Sequence, residues 1–234
     1  MRQAWFIFKR EFRAYFVSPV AYIVISIFLL ITGWFFFATF FLFNQADLRN
    51  FFSLLPLVFS FVVPAITMRL MAEELHLGSY ETLLTLPVTV AQVVAGKFLA
   101  AAAFVAVMLA PTLAYPASIA LLGRLDWGPV AGGYAGALLL GAAFAAIGLF
   151  ASSLTRSQIV AFIVGMAICF TLTLLGRVLF FLPEKIVGVL EYIGTDFHFQ
   201  NIAKGVVDTR DLVYFASLVF IGLYATNLSI HEKH

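Results

Sequence analysis

The chain has 234 residues, of which 63% are hydrophobic, 16% aromatic and 11% charged, and its mean hydropathy is +1.03. Soluble domains carry roughly 45–50% apolar and about 25% charged residues, so a water-soluble globular protein and a disordered chain are both excluded. The composition is that of a polytopic membrane protein. A net charge of +2 gives no basic face for nucleic acid, and the single cysteine, Cys169, lies in an apolar run with no partner for an internal disulfide.

Residues 1–17 read as an amphipathic helix. Trp5, Phe8, Phe12 and Tyr15 recur at three- and four-residue spacing, with Lys9, Arg10 and Arg13 on other faces. Such a helix lies in the membrane interface, rings at acyl depth and cations at the headgroups. A bilayer-crossing helix needs about 20 apolar residues. Windows with at most one charge predict six spans, at 18–43, 51–69, 97–122, 129–152, 158–182 and 211–229. The first is too long for the roughly 7–15-residue core of a signal peptide, lacks a small-residue cleavage site after it, and is expected to stay in the mature protein. Its many rings, Phe36 and Phe40 among them, suit either lipid contact or a seal between two subunits.

Between the second and third spans lies a loop, 70–96. Gly78 suits a left-handed turn that ends one short helix; Ser79 can cap the next, Glu81 sits in its first turn, and Pro87 stops it. Glu73, Glu74 and Glu81 are acidic on a face that ordinarily favours cations, which suits either solvation or the docking of a cytosolic partner. The third and fourth spans carry small residues at four-residue spacing, such as Gly132–Gly136 and Ala137–Gly141–Ala145, which lets helix backbones approach closely. The segment 183–210 patterns as helix, is poor in charge, and is expected to dip back into the outer leaflet as a re-entrant hairpin before the last span.

Lys and Arg set the orientation. One side receives Arg2, Lys9, Arg10, Arg13, Arg69, Lys97, Arg156 and Lys233; the other receives Arg49, Arg124, Lys185, Lys204 and Arg210. Both termini are therefore expected in the cytoplasm.

The spans read as free of Asp, Glu, Lys and His, and the four histidines as lying outside the cores. That argues against proton- or sodium-coupled transport, against intramembrane hydrolysis and against a metal site. The exception is Arg177, either snorkelling to the outer headgroups or lining a pathway. The nearest approach to a nucleotide cradle, Ala95-Gly96-Lys97-Phe98, has Ala91 where its first Gly should be and Phe98 where Ser or Thr should hold magnesium. Energy, if used, must come from a separate ATPase chain.

Taken together, the loop Arg69…Ala72-Glu73-Glu74…Gly78-Ser79-Tyr80-Glu81-Thr82-Leu83-Leu84-Thr85-Leu86-Pro87-Val88 and the six-span plan resemble the ABC-2 class of ABC transporter permeases, with a type V exporter-like all-α fold. The stretch His198-Phe199-Gln200-Asn201-Ile202-Ala203-Lys204-Gly205 through Phe215 is similar to the gliding-motility-associated subfamily. The resemblance implies a non-catalytic, dimeric permease, homo- or heteromeric, in the bacterial cytoplasmic membrane. It implies a pair of cytosolic ABC ATPase subunits that carry ATP and Mg, with no cofactor on this chain. Glu73, Glu74, Gly78, Glu81, Thr82 and Leu83 would then form the coupling-helix contact with the ATPase. Arg177, Phe36 and Phe40 would lie near a pathway or dimer seam. A membrane-anchored protein with an extracytoplasmic domain often accompanies that subfamily. The alternatives are a mechanotransmitter that works on such a partner without transport, and a passive channel or scramblase.

Overall fold

The computed structural model describes residues 2–43, 48–78, 88–122, 125–175, 192–206 and 208–231. They form α1 (Arg2–Val17), α2 (Pro19–Phe43), α3 (Arg49–Thr67), α4 (Arg69–Leu77), α5 (Val90–Leu109), a 3-10 turn (Ala110–Leu113), α6 (Ala114–Leu122), α7 (Trp127–Leu154), α8 (Gln158–Leu175), α9 (Thr195–Ala203) and α10 (Thr209–His231). Among the described residues there is no strand, and six helical stretches are long and apolar enough to cross a membrane.

The fold is organised around α7, the most enclosed of these stretches, against which α3, α4, α5, α8, α9 and α10 all pack. Its small residues make this possible. A Cβ on Gly222 of α10 would come within 2.9 Å of the Ala146 backbone of α7, and one on Gly148 would strike the Thr67 hydroxyl of α3. The close-approach stripe of α7 thus serves packing inside one subunit.

Prolines and inserted hydroxyls shape the other spans. In α5 the helix starts at Val90 with a capping box between Thr89 and Gln92, a full two turns before the expected start at 97. Pro111 then breaks it into the 3-10 turn, and the Thr112 carbonyl, to which Pro116 one turn on offers no amide, accepts from the Tyr134 hydroxyl at 2.8 Å. Pro56 and Pro64 lie inside α3. At Met68 the Ser152 hydroxyl of α7 enters the helical ladder. It accepts from the Met71 and Ala72 amides, both at 3.0 Å, and donates to the Met68 carbonyl at 2.7 Å. A side chain inserted this way separates α4 from α3.

α1 packs along α5. A Cβ on Gly96 would lie 2.9 Å from the Ala4 carbonyl and from Ile7, so this glycine is a helix-crossing point inside α5 rather than part of a loop. Trp5, Phe8 and Phe12 stack in sequence along α1, with Trp5 exposed. Tyr15 departs from the expected outward ring face. It is buried, its ring lies 4.8 Å from that of Phe104, and its hydroxyl donates to the Ile66 carbonyl at 3.0 Å. Burial, opposed by the charge of Arg69, pushes the Tyr15 phenol above its ordinary value.

The helices give the bundle two unlike ends. One carries α1, α4, the start of α5, the α7–α8 turn and the end of α10, where the Ser229 hydroxyl reaches the Ser153 carbonyl. The other carries the start of α3, α6, the start of α7, α9 and the start of α10, with Ile202 and Gly205 against Gly132.

Candidate functional site

At the basic end, α4 is the short helix that leaves the second span. Gly78 ends it at φ +67°, the left-handed conformation glycine adopts without strain. The helix is held from beneath by a charge cluster. Lys97 of α5 is 1% exposed, and its Nζ lies 2.8 Å from Glu74 Oε1 and 3.4 Å from Glu11 Oε1, while donating to the Leu70 carbonyl at 2.7 Å. Arg10 closes the cluster from the surface, at 2.6 Å from Glu11 and 3.2 Å from Glu74. Two carboxylates and two cations thus join α1, α4 and α5 in one ionic knot.

Burial alone pushes the Glu11 carboxyl up, but Lys97 and Arg10 outweigh it and hold the group below its ordinary value. Burial likewise pulls the Arg10 guanidinium down, and its hydrogen bonds and charges with Glu11 and Glu74 raise it above its ordinary value. A knot of this kind resists separation, because breaking one partner strands the others in a medium of low polarity.

Beside α4 a cleft of about 560 Å³ opens between His76 and the α7–α8 turn, lined by Thr155, Arg156, Ser157, Gln158 and Ile159. Its rim is polar and cationic. Glu73 stands on the outer side of α4, 46% exposed, with a long 3.9 Å approach to Arg69 one turn back.

The site residues expected from sequence fall into three groups. Glu73, Glu74 and Gly78 share α4 and its end, but Glu74 turns inward to Lys97 and Arg10 while Glu73 turns outward. Glu81, Thr82, Leu83 and Arg177 lie outside the described residues, as does the Phe40 side chain. Phe36 is 4% exposed and stacks on Tyr115 at 4.7 Å, inside its own subunit, whereas Trp34 on the same helix is 72% exposed.

One expectation about ionisable groups is corrected. The spans were expected to hold no Lys, Asp or His, yet Lys97 sits two turns inside α5 and Asp211 in the first turn of α10, both buried. His198 lies outside the six spans, as expected, but on α9 it is buried with its Nδ1 2.6 Å from Asp211 Oδ1. The physical reason is the same in each case. A charge that finds its partner from a distant part of the chain can enter the apolar interior, and sequence windows do not reveal that partner.

Six apolar helical stretches, four of which pack against a fifth, the small-residue helix α7, define a multi-pass α-helical membrane protein. Residues 5–202 match the family described as ABC-2 family transporter protein. The match covers most of the chain, which belongs to that family. No curated protein was found to match it.

Proposed function

We propose that this chain is the membrane-spanning permease subunit of an ATP-driven ABC transporter, working as a dimer and powered by a separate cytosolic ATPase. The observation that carries the reading is the ionic knot under α4. A helix at the basic end, fixed by buried charge to both α1 and the third span, transmits a push to the bilayer-crossing helices without bending on its own.

In this reading the basic end faces the cytoplasm, α1 lies in the membrane interface, and 183–210 forms the outer re-entrant hairpin. Glu73, Gly78, Glu81, Thr82 and Leu83 meet the ATPase, together with the cleft beside His76. Glu74 serves the contact from behind, as the anchor of α4. ATP and Mg bind the ATPase and nothing catalytic resides here. The second permease subunit packs against the exposed rings of α2, with Arg177 close to the seam at the outer side. The cytoplasmic membrane of a bacterium is the expected location, and the gliding-motility resemblance names a subfamily without assigning a cargo.

The test is co-purification. Tagged protein extracted in mild detergent is expected to bring down a Walker-type ATPase, and Glu73→Arg combined with Glu81→Arg is expected to release it while leaving the permease folded. Recovery of the permease without any ATPase, under conditions that keep other membrane complexes intact, would overturn the reading.

A further inference from the structure

At the end of the bundle opposite the ionic knot, His198 of α9 is wedged between two acceptors. Its Nδ1 lies 2.6 Å from Asp211 Oδ1, and its Nε2 lies 2.9 Å from the Tyr192 carbonyl oxygen. Both side chains of the pair are buried, at 1% and 3% side-chain exposure. Tyr214 stacks on the imidazole with ring centroids 3.9 Å apart, and its hydroxyl donates to the Ile193 carbonyl at 2.5 Å. Tyr192 and Phe197 meet the ring edge-on. The pair therefore fastens α9 to the first turn of α10.

Hydrogen-bond chemistry fixes how many protons the arrangement holds. A carbonyl oxygen only accepts, so Nε2 carries a hydrogen. If Nδ1 were then bare, its lone pair would face a carboxylate oxygen at 2.6 Å, a repulsive contact in a buried place. A second proton must lie between Nδ1 and Oδ1, giving either imidazolium with carboxylate or imidazole with carboxylic acid. Both forms are neutral as a pair, which burial demands. Asp211 Oδ2 has no hydrogen-bond partner among the described residues, so the imidazole is the group that compensates the carboxyl.

We propose that His198 and Asp211 form a proton-binding site that latches α9 to α10. With the shared proton in place the latch is closed, and its removal sets the lone pair against the carboxylate and opens it. Among the described residues, the other ionisable groups on the surrounding elements are Asp196 and Lys204 beside α9, Asp208 and Arg210 at the start of α10, Asp126 and Tyr134 on the α7 side, Arg49 at the start of α3, and Cys169 on α8. Among the described residues, the ionisable side chains that contact the imidazole are Asp211, Tyr192 and Tyr214. The site takes a proton and no larger ligand, and it stands on this geometry whatever the chain transports.

The test is hydrogen exchange of residues 195–203 in the full chain in lipid nanodiscs, corrected for the intrinsic pH dependence of exchange. As the pH is raised from about 6 to about 9, protection in the wild type is expected to fall by about tenfold or more. Asp211→Asn offers an amide that donates to a neutral Nδ1, so it keeps the latch without the shared proton, and its protection is expected to be the same at both pH values. Unchanged wild-type protection, or an Asp211→Asn profile that falls in parallel with the wild type, would overturn the proposal. Should Asp211→Asn fail to accumulate, ring-¹⁵N histidine spectra of a chain with His76, His231 and His234 replaced decide the matter. A proton carried or shared at Nδ1 near neutral pH supports the site, and a bare Nδ1 overturns it.

Discussion

Lys97→Met removes an ammonium and keeps the aliphatic stem that packs inside α5. Glu11 and Glu74 would then be left with Arg10 as the cation of the knot, and the Leu70 carbonyl would lose its donor. Removing one member of a buried ion pair costs about 3–5 kcal/mol. Arg10 still touches both carboxylates, and each acid keeps 15% side-chain exposure, so the lower end applies, about 3 kcal/mol. The assay is reversible unfolding in mixed micelles, where the free-energy difference is read directly. The triple variant Lys97→Met, Glu11→Gln, Glu74→Gln carries no stranded charge and is expected to recover to within about 1 kcal/mol of the wild type. A Lys97→Met variant within about 0.5 kcal/mol of the wild type would refute the reasoning, because that is the range of an ordinary surface substitution. A triple variant as damaged as the single one would refute it too, since the loss would then belong to packing.

Three other outcomes follow from the same structure. Ser152→Ala strands the Met71 and Ala72 amides and the Met68 carbonyl, and is expected to cost about 1–3 kcal/mol in the same unfolding assay while raising hydrogen exchange in α4. Gly222→Val forces α10 off the Ala146 backbone, and overpacking of this kind is expected to cost about 1–3 kcal/mol or to prevent accumulation in the membrane altogether. Because the folded Glu11 carboxyl titrates below its ordinary value, its contribution is complete above the ordinary carboxylate range and is lost as pH falls through the lowered folded value. Acid-induced loosening of α1 from α5, followed by Trp5 fluorescence, is therefore expected in the wild type and is expected to begin at higher pH in Lys97→Met.

Much of this fold is written in single stretches of sequence. Twenty apolar residues without charge are long enough to cross a bilayer, so the helices of α2, α3, α7 and α10 are found within a few residues of where charge-free windows place them. Gly78 announces the end of α4 for an equally local reason. The failures are all tertiary. Lys97 looks like a flanking cation until Glu11 and Glu74, each from another helix, are seen to neutralise it. His198 and Asp211 stand 13 residues apart with a glycine turn between them, and no periodicity reports that they meet. A histidine between two phenylalanines and an acid at the mouth of an apolar run were the available signals. On α2, rings occur on every face, so the pattern cannot say that Phe36 points inward while Trp34 points out. Ser152 gave no sign in sequence that it would enter the ladder of another helix.

The claim that a cytosolic motor acts at α4 is tested most directly by cross-linking in intact cells. With a photo-reactive residue at position 73 or 81, the account predicts a covalent adduct with an ABC ATPase that forms from the cytoplasmic side and weakens when nucleotide is depleted. The same probe at the Val213 position, on the α10 surface at the other end, should give none. Labelling of position 73 by a membrane-impermeant reagent added outside the cell would contradict the account, and so would adducts with lipid alone.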